Sequence, residues 1–293
     1  MLVCYEKNFL QRTYQQLKIF PTPHTKNLLI LVSGNGTKNK YSSLISDTIV
    51  DLNCLEAGAQ CFPLYWYEEK KDEANIGLFD ALSENTGPEY VRHDGITDYI
   101  LKAARTKYKT NSITKEDIFY YVYGILHSED YRTQFAADLK KMLPRLPLVD
   151  SAADFKAFST AGHKLADLHL NYENRKAPKG VIVEGDNGRN YHVTKMRFPS
   201  KDNTSEIIYN SQITIKNIPP EAYEYVVNGR TAIGWIMERY QVKTDKDSGI
   251  VNDPNDWAIE HNQPRYILDL LLSIITVSVE TMKIVKGLPK LKF

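Results

Sequence analysis

A chain of 293 residues with 42% hydrophobic and 25% charged residues has the composition of a globular protein able to bury one large core or two modest ones. Lys and Arg total 37 against 36 Asp and Glu, so the net charge of +1 gives no global pull toward a polyanion or a membrane, and any such site must come from local clustering. Cys4, Cys54 and Cys61 form no CxxC pair, which argues against structural zinc and a disulfide framework and fits a reducing cytoplasm.

The first segment leans toward β-structure. Residues 27–33 (NLLILVS) have strand length and apolarity, and 34–41 follow as a polar loop carrying Lys38 and Lys40. Residues 48–55 are apolar, 60–67 (QCFPLYWY) are aromatic and strand-like, and 68–73 are a charge run of the kind that links elements. No signal-peptide pattern opens the chain. A helix is predicted over 96–108. Thr114, with Asp117 three residues on, marks another helix start, and Ile118, Phe119, Val122, Tyr123 and Leu126 form its apolar stripe. Ser128 can cap a following helix in which Tyr131, Phe135, Leu139 and Leu143 recur until Pro144 and Pro147 end it. A third helix spans 151–172, with Phe155, Phe158, Leu165 and Leu168 inward.

Beyond a polar linker at 174–180, residues 180–198 read as a β-hairpin turning at Gly185-Asp-Asn-Gly188, with a bulge in the returning strand. Ile207, Tyr209, Ser211, Ile213 and Ile215 alternate as one strand. Pro219-Pro220 starts a short helix ending near Gly229, residues 230–240 form another, and 248–257 are a tight polar loop. The most apolar run, 266–285, contains Asp269, Glu280 and Lys283 and reads as a buried core helix rather than a membrane span. The fold class is therefore α+β, a helical core with β-rich segments flanking it. The divisions fall at 1–112, 113–175 and 176–293.

Most chemical motifs fail on their own spacing. Gly34-x-Gly36 lacks the third glycine of GxGxxG and the Gly-Lys-Ser/Thr of a P-loop. His163 and Asp167 share a helix face, but no HExxH or neighbouring cysteine completes a metal site, and nothing resembles GxSxG. The Asp253-Pro254-Asn255-Asp256 run resembles the short motifs of amino-methyltransferases without their second proline and aromatic residue, and reads as a turn. The most suggestive cluster lies at 187–209. There Arg189, Lys195, Arg197 and Lys201 sit among Asn187, Asn190, Asn203, Tyr191 and Tyr209. Cationic side chains donate to guanine edges and phosphates, Asn pairs bidentately with adenine, and a two-stranded ribbon suits a major groove. A hairpin with a basic solvent face accounts for the same residues equally well.

Longer stretches carry a family resemblance. YYVYGILHSEDYRTQF, LPRLPLV, AGHKLADLHLNYE, ITIKNIPPEAYEYVVNG, AIGWIMERYQVKTDKDSGIVNDPNDW and VSVETMKIVKGLP resemble the C-terminal part of Type ISP restriction-modification enzymes. IFPTP, VSGNGTK and QCFPLYWYE resemble the stretch leading into it, so the likeness runs from 19 to 289. It implies that full-length relatives carry a nuclease, an ATP-driven motor and an N6-adenine methyltransferase ahead of this region. S-adenosylmethionine, ATP and Mg then belong to those domains, and no cofactor or metal to this chain. The region itself would be the target-recognition domain.

The chain has no P-loop, DEAD/DEAH-like box or Asn/Asp-Pro-Pro-Tyr/Phe motif, so no catalytic residue is expected in it. It would be a C-terminal piece or a separately encoded specificity unit of a cytoplasmic system. Its partners would be double-stranded DNA and the methyltransferase, helicase and nuclease domains, with no membrane. On that reading Lys38, Lys40, Lys195 and Lys201 contact phosphates, with Tyr41 beside them, and Arg189, Arg197, Asn190 and Asn203 face base edges. A protein-interaction scaffold, or a hydrolase using His163 and Asp167, are the other readings.

Overall fold

The computed structural model describes residues 16–51, 53–56, 58–70 and 89–292. Cys4 and the end of the charge run at 68–73 lie outside them. Two compact units divide the chain: residues 1–37, 43–126 and 137–162 form the first, and 38–42, 127–136 and 163–293 the second. The fold is α+β.

In the first unit a short helix α1 (Gln16–Ile19) precedes a three-stranded antiparallel sheet of β1 (Leu29–Val32), β2 (Ser43–Ser46) and β3 (Gln60–Pro63), in the order β2-β1-β3. As the central strand, β1 is buried on both faces, which explains its unbroken apolar run. The strand expected at 60–67 is two strands in different sheets. Leu64 donates its N–H to the Leu28 carbonyl, and the chain then continues as β4 (Tyr65–Glu69), which pairs with β5 (Tyr90–Asp94). Directly opposite one another, Trp66 and His93 stack at 4.2 Å. Among the described residues of the apolar stretch at 48–55 there is no strand, only an isolated Cys54–Glu56 bridge.

The helices follow their caps. Thr97 caps α2 (Asp98–Tyr108). At the start of α3 (Lys115–Leu126), the Thr114 N–H donates to Asp117 Oδ2 at 2.8 Å and the Asp117 N–H to Thr114 Oγ1 at 3.1 Å, a reciprocal capping box. Burial of α3 extends beyond the expected stripe to Tyr121, Gly124 and Ile125. The reason is a close crossing with α5 (Ala152–Leu170). A Cβ at Gly124 would lie 2.2 Å from the Phe158 carbonyl oxygen, and one at Gly162 would lie 1.8 Å from that of Tyr120. Beside the crossing Tyr121 stacks on Phe155 and donates its hydroxyl to the Pro147 carbonyl at 2.6 Å.

Ser128 caps α4 as expected, but α4 (Glu129–Gln134) stops well short of Leu143, and 135–142 are turns. Its fourfold apolar spacing serves two cores, because Tyr131 belongs to the second unit and Leu139 to the first.

In the second unit the expected 180–198 hairpin does not form. Gly185 and Gly188 adopt the positive φ anticipated for the turn, but β6 (Ile182–Glu184) pairs with β8 (Thr214–Lys216). The single strand expected over 207–215 is β7 (Ile207–Ile208), a turn, and β8, in a sheet ordered β6-β8-β7. Asn210 makes that turn by accepting from the Gln212 and Ile213 N–H groups. Ile207, Tyr209, Ile213 and Ile215 are all buried, so alternation of apolar residues runs straight through a reversal of direction.

Pro220–Tyr223 is one 3-10 turn. It leads into the hairpin β9 (Val226–Val227) and β10 (Arg230–Thr231) rather than a helix reaching Gly229. Thr231 caps α6 (Ala232–Arg239). The loop expected at 248–257 supplies β12 (Val251–Asn252), paired with β11 (Lys243–Thr244), and the start of α7 (Asn255–Glu260). The last helix, α8 (Tyr266–Lys286), is the spine of the core: Ile267, Leu268, Leu271 and Ile275 pack against Val193, Met196, Ile207, Tyr209 and Ile215. Among the described residues no helix is long and apolar enough to cross a membrane.

Candidate nucleic-acid interface

All nine residues expected to contact DNA belong to the second unit. Residues 189–197 carry four of them on backbone that is almost irregular. Its one bridge joins Arg197 to Ile208, with N–H···O distances of 3.1 and 2.9 Å. Buried polar backbone must nonetheless find partners, and here side chains supply them. The Asn210 amide donates to the carbonyls of Asn190 at 3.2 Å and His192 at 3.1 Å, and the Tyr209 hydroxyl donates to that of Tyr191 at 2.8 Å. Burial pushes the Tyr209 phenol upward, so the hydroxyl keeps the proton it donates.

Asn255, buried at 5% exposure, accepts from the Val193 N–H at 3.0 Å and donates to the Val193 carbonyl at 2.9 Å. Asp253 holds Asn255 through its backbone and side-chain N–H groups at 2.9 and 2.6 Å, and its other oxygen lies 3.5 Å from His192 Nε2. Burial raises the Asp253 carboxyl, but these donors and His192 outweigh it and hold the group below the usual carboxylate range. At the head of the segment, Tyr191 donates to Asp186 at 2.8 Å and Arg265 pairs with the same carboxylate. The Tyr191 hydroxyl, then Arg265, keep Asp186 ionised below its ordinary range.

With Tyr191 half-buried and Val193 and Met196 buried, Arg189, Asn190, Lys195 and Arg197 are exposed. Among the described residues Arg189, Lys195, Arg197, Lys201 and Lys40 form no ion pair, whereas Arg175, Arg230 and Arg265 are each matched to a carboxylate. Unmatched cations on a surface are what a phosphate backbone recruits. Lys201 is exposed at a turn closed by Ser200 and Asn203. Asn203 is half-buried, and its side-chain carbonyl oxygen accepts from the Ser205 N–H and hydroxyl at 3.2 and 2.8 Å.

Lys38 and Lys40 are exposed on a short stretch clamped to the β9–β10 hairpin. Asn39 donates to Asn228 Oδ1 at 3.0 Å, and Ser42 Oγ accepts from the Asn228 N–H at 2.8 Å. Gly229, at φ +78°, leaves room for Asn39, whose Oδ1 would sit 2.5 Å from any Cβ there. Tyr41 is partly buried. Its hydroxyl is buried with no hydrogen-bond partner among the described residues, and burial drives its pKa far above the tyrosine range. With Arg132 5.8 Å from its ring centre, Tyr41 anchors the stretch from within.

Asp167, one turn of α5 beyond His163, has other partners. Asp167 accepts from Arg175 and Asn171, both at 2.8 Å, and the Arg175 bond leads in lowering its pKa. No cluster of three metal-ligating side chains occurs among the described residues. His169 is buried, 3.0 Å from Thr281 Oγ1 and stacked on Tyr225.

The family described as the Type ISP C-terminal specificity domain matches residues 1–270. The chain belongs to that family. Three solved structures share the fold of this specificity domain. A nuclease-deletion mutant of the Type ISP restriction-modification enzyme LlaGI, in complex with a DNA substrate mimic, is 42% identical over 94% of the chain with a TM-score of 0.74. The ATP-dependent Type ISP enzyme LlaBIII bound to DNA is 40% identical over 98%, with a TM-score of 0.81. A DrdV–DNA complex is 30% identical over 99%, at 0.78. The specificity domain spans only 22%, 17% and 27% of those chains, respectively. No curated protein matches it.

Proposed function

We propose that this specificity domain is the sequence-specific double-stranded DNA recognition module of a restriction-modification enzyme. It positions duplex for an N6-adenine methyltransferase, and for a nuclease and translocase, that lie outside this chain. The observation that carries the reading is the likeness, over 94–99% of the chain, to three proteins solved with DNA. The exposed cations of the second unit supply the chemistry. Lys38, Lys40, Lys195 and Lys201 neutralise phosphates and set the register, while Arg189, Asn190 and Arg197 reach base edges. A methyltransferase must extrude its target adenine at an expense of a few kcal/mol, and a module gripping the flanking duplex keeps the site in place meanwhile.

The test is a selection from randomised duplexes on the purified chain, followed by fluorescence anisotropy on the enriched and scrambled sequences. One asymmetric site should emerge, with affinity falling steeply as salt rises. Equal binding to enriched and scrambled duplex by a folded chain would refute the proposal.

A further inference from the structure

The Asp253-Pro254-Asn255 run has no place among the contacts just assigned, yet Asn255 is one of the polar residues buried in the second unit. Asn255 presents a planar amide to Val193 and satisfies both backbone groups of that residue at 3.0 and 2.9 Å. This is what a peptide unit of a neighbouring strand would do, and the ladder has no strand there. Together with Asn210 and Tyr209 it fixes four consecutive residues, 190–193, by their main chain alone. None of these tethers uses the outward side chains of Arg189, Asn190, Lys195 or Arg197. The backbone path of the segment is thus set largely by residues elsewhere in the chain, and of its exposed side chains His192 alone reaches back, to Asp253 at 3.5 Å, while Arg189, Lys195 and Arg197 form no ion pair among the described residues.

We propose that Asn255, oriented by Asp253, is a positioning residue that holds residues 189–197 in register for base reading, with Asn210 and Tyr209 as its auxiliaries. The inference rests on the DNA-recognition reading above. Without the clasp, the segment keeps its cations and its backbone bonds at Thr194 (from the Val242 N–H, 2.9 Å) and Arg197, but the stretch around Val193 that leads from Asn190 to Lys195 loses its fixed path. Charge attraction to phosphates tolerates such displacement, because it acts over a Debye length of about 8–10 Å. A base-edge hydrogen bond does not, because it tolerates only a few tenths of an ångström. The signature is therefore loss of discrimination with retention of general affinity. Simple destabilisation would lower the active fraction equally for every duplex and leave the ratio of affinities untouched.

The experiment measures Kd for the selected site and for a scrambled duplex, across a salt series, in wild type, Asn255→Ala and Asn255→Asp. Asp keeps the acceptor for the Val193 N–H but faces its carbonyl with negative charge. Both variants should lose about tenfold or more of the cognate-to-scrambled ratio, the value of one base contact, with scrambled Kd and salt slope held within about twofold. Tyr209→Phe removes one tether while keeping the buried ring, and should show the same pattern at smaller size; it serves if the Asn255 variants do not fold. An unchanged ratio in folded variants, with wild type discriminating, overturns the clasp and leaves the DNA reading standing. A wild type that fails to discriminate overturns both.

Discussion

The α3–α5 crossing makes the sharpest stability prediction. At Gly162 a methyl group would sit 1.8 Å from the Tyr120 carbonyl oxygen. A carbon–oxygen contact needs about 3.3 Å, so the helices must separate by about 1.5 Å. The obstacle is main chain inside a helix, which cannot rotate aside as a flexible side chain would. Overpacking of this kind costs about 1–3 kcal/mol. Alanine returns up to about 1 kcal/mol of helix propensity over glycine. Gly162→Ala should therefore lose about 2 kcal/mol net, the upper end applying because the clash is with backbone. In urea titration followed by circular dichroism, the midpoint should fall by roughly 1 M at a slope of about 2 kcal/mol/M. Gly124→Ala should behave alike, and the double variant should cost less than the sum, since one separation relieves both clashes. A midpoint that stayed put or rose would mean that helix propensity decides, and that the two backbones do not meet there.

Buried His169 has its pKa lowered to about 3, by burial first and then by Arg132. The unfolded chain binds a proton near pH 6.5 that the folded chain refuses, so stability falls as pH drops through the window from 6.5 to about 3. By pH 5 this amounts to about 2 kcal/mol; His169→Gln should flatten that part of a Tm-versus-pH curve, and an unchanged slope would count against a neutral buried imidazole. Arg197→Ala should relax preference at one base pair by about 1–3 kcal/mol, whereas Lys201→Ala should weaken all duplexes alike and lower the salt slope by about one, both read by anisotropy. Gly229→Ala strains a φ of +78° and collides with Asn39. It should loosen the Lys38–Lys40 stretch and reduce affinity without altering preference, and binding equal to wild type would argue against contact by that stretch.

Local rules were legible where the partners are close in sequence. The Thr114–Asp117 capping box, the Ser128 cap, the positive-φ turn at Gly185 and Gly188, and the buried character of α8 all follow from residues a few positions apart. Periodicity misled where one pattern serves two purposes. The apolar alternation from Ile207 to Ile215 continues across the Asn210 turn because both arms of a hairpin can face one core. The fourfold spacing after Tyr131 ends early because the chain changes units at Ala136. At the candidate interface, residue type and exposure of Arg189, Lys195, Arg197 and Lys201 could be anticipated. The tethers could not. Asn255 acts on a residue 62 positions away, and only the buried amide beside Asp253 reveals it. The burial of the Tyr41 hydroxyl was not legible, because nothing in the polar loop at 34–41 marks that side chain as interior.

The division of the chain also bears on how it is made. The polypeptide passes between units after Thr37, Ser42, Leu126, Ala136 and Gly162. During synthesis the first unit has all its pieces once residue 162 has emerged. The second must wait for nearly the whole length, with Lys38–Ser42 and α4 held in readiness long before β6 to α8 arrive to receive them. No single cut can therefore release either unit intact, and a shortened gene ending after Gly162 would yield a first unit carrying two orphaned strips of the second.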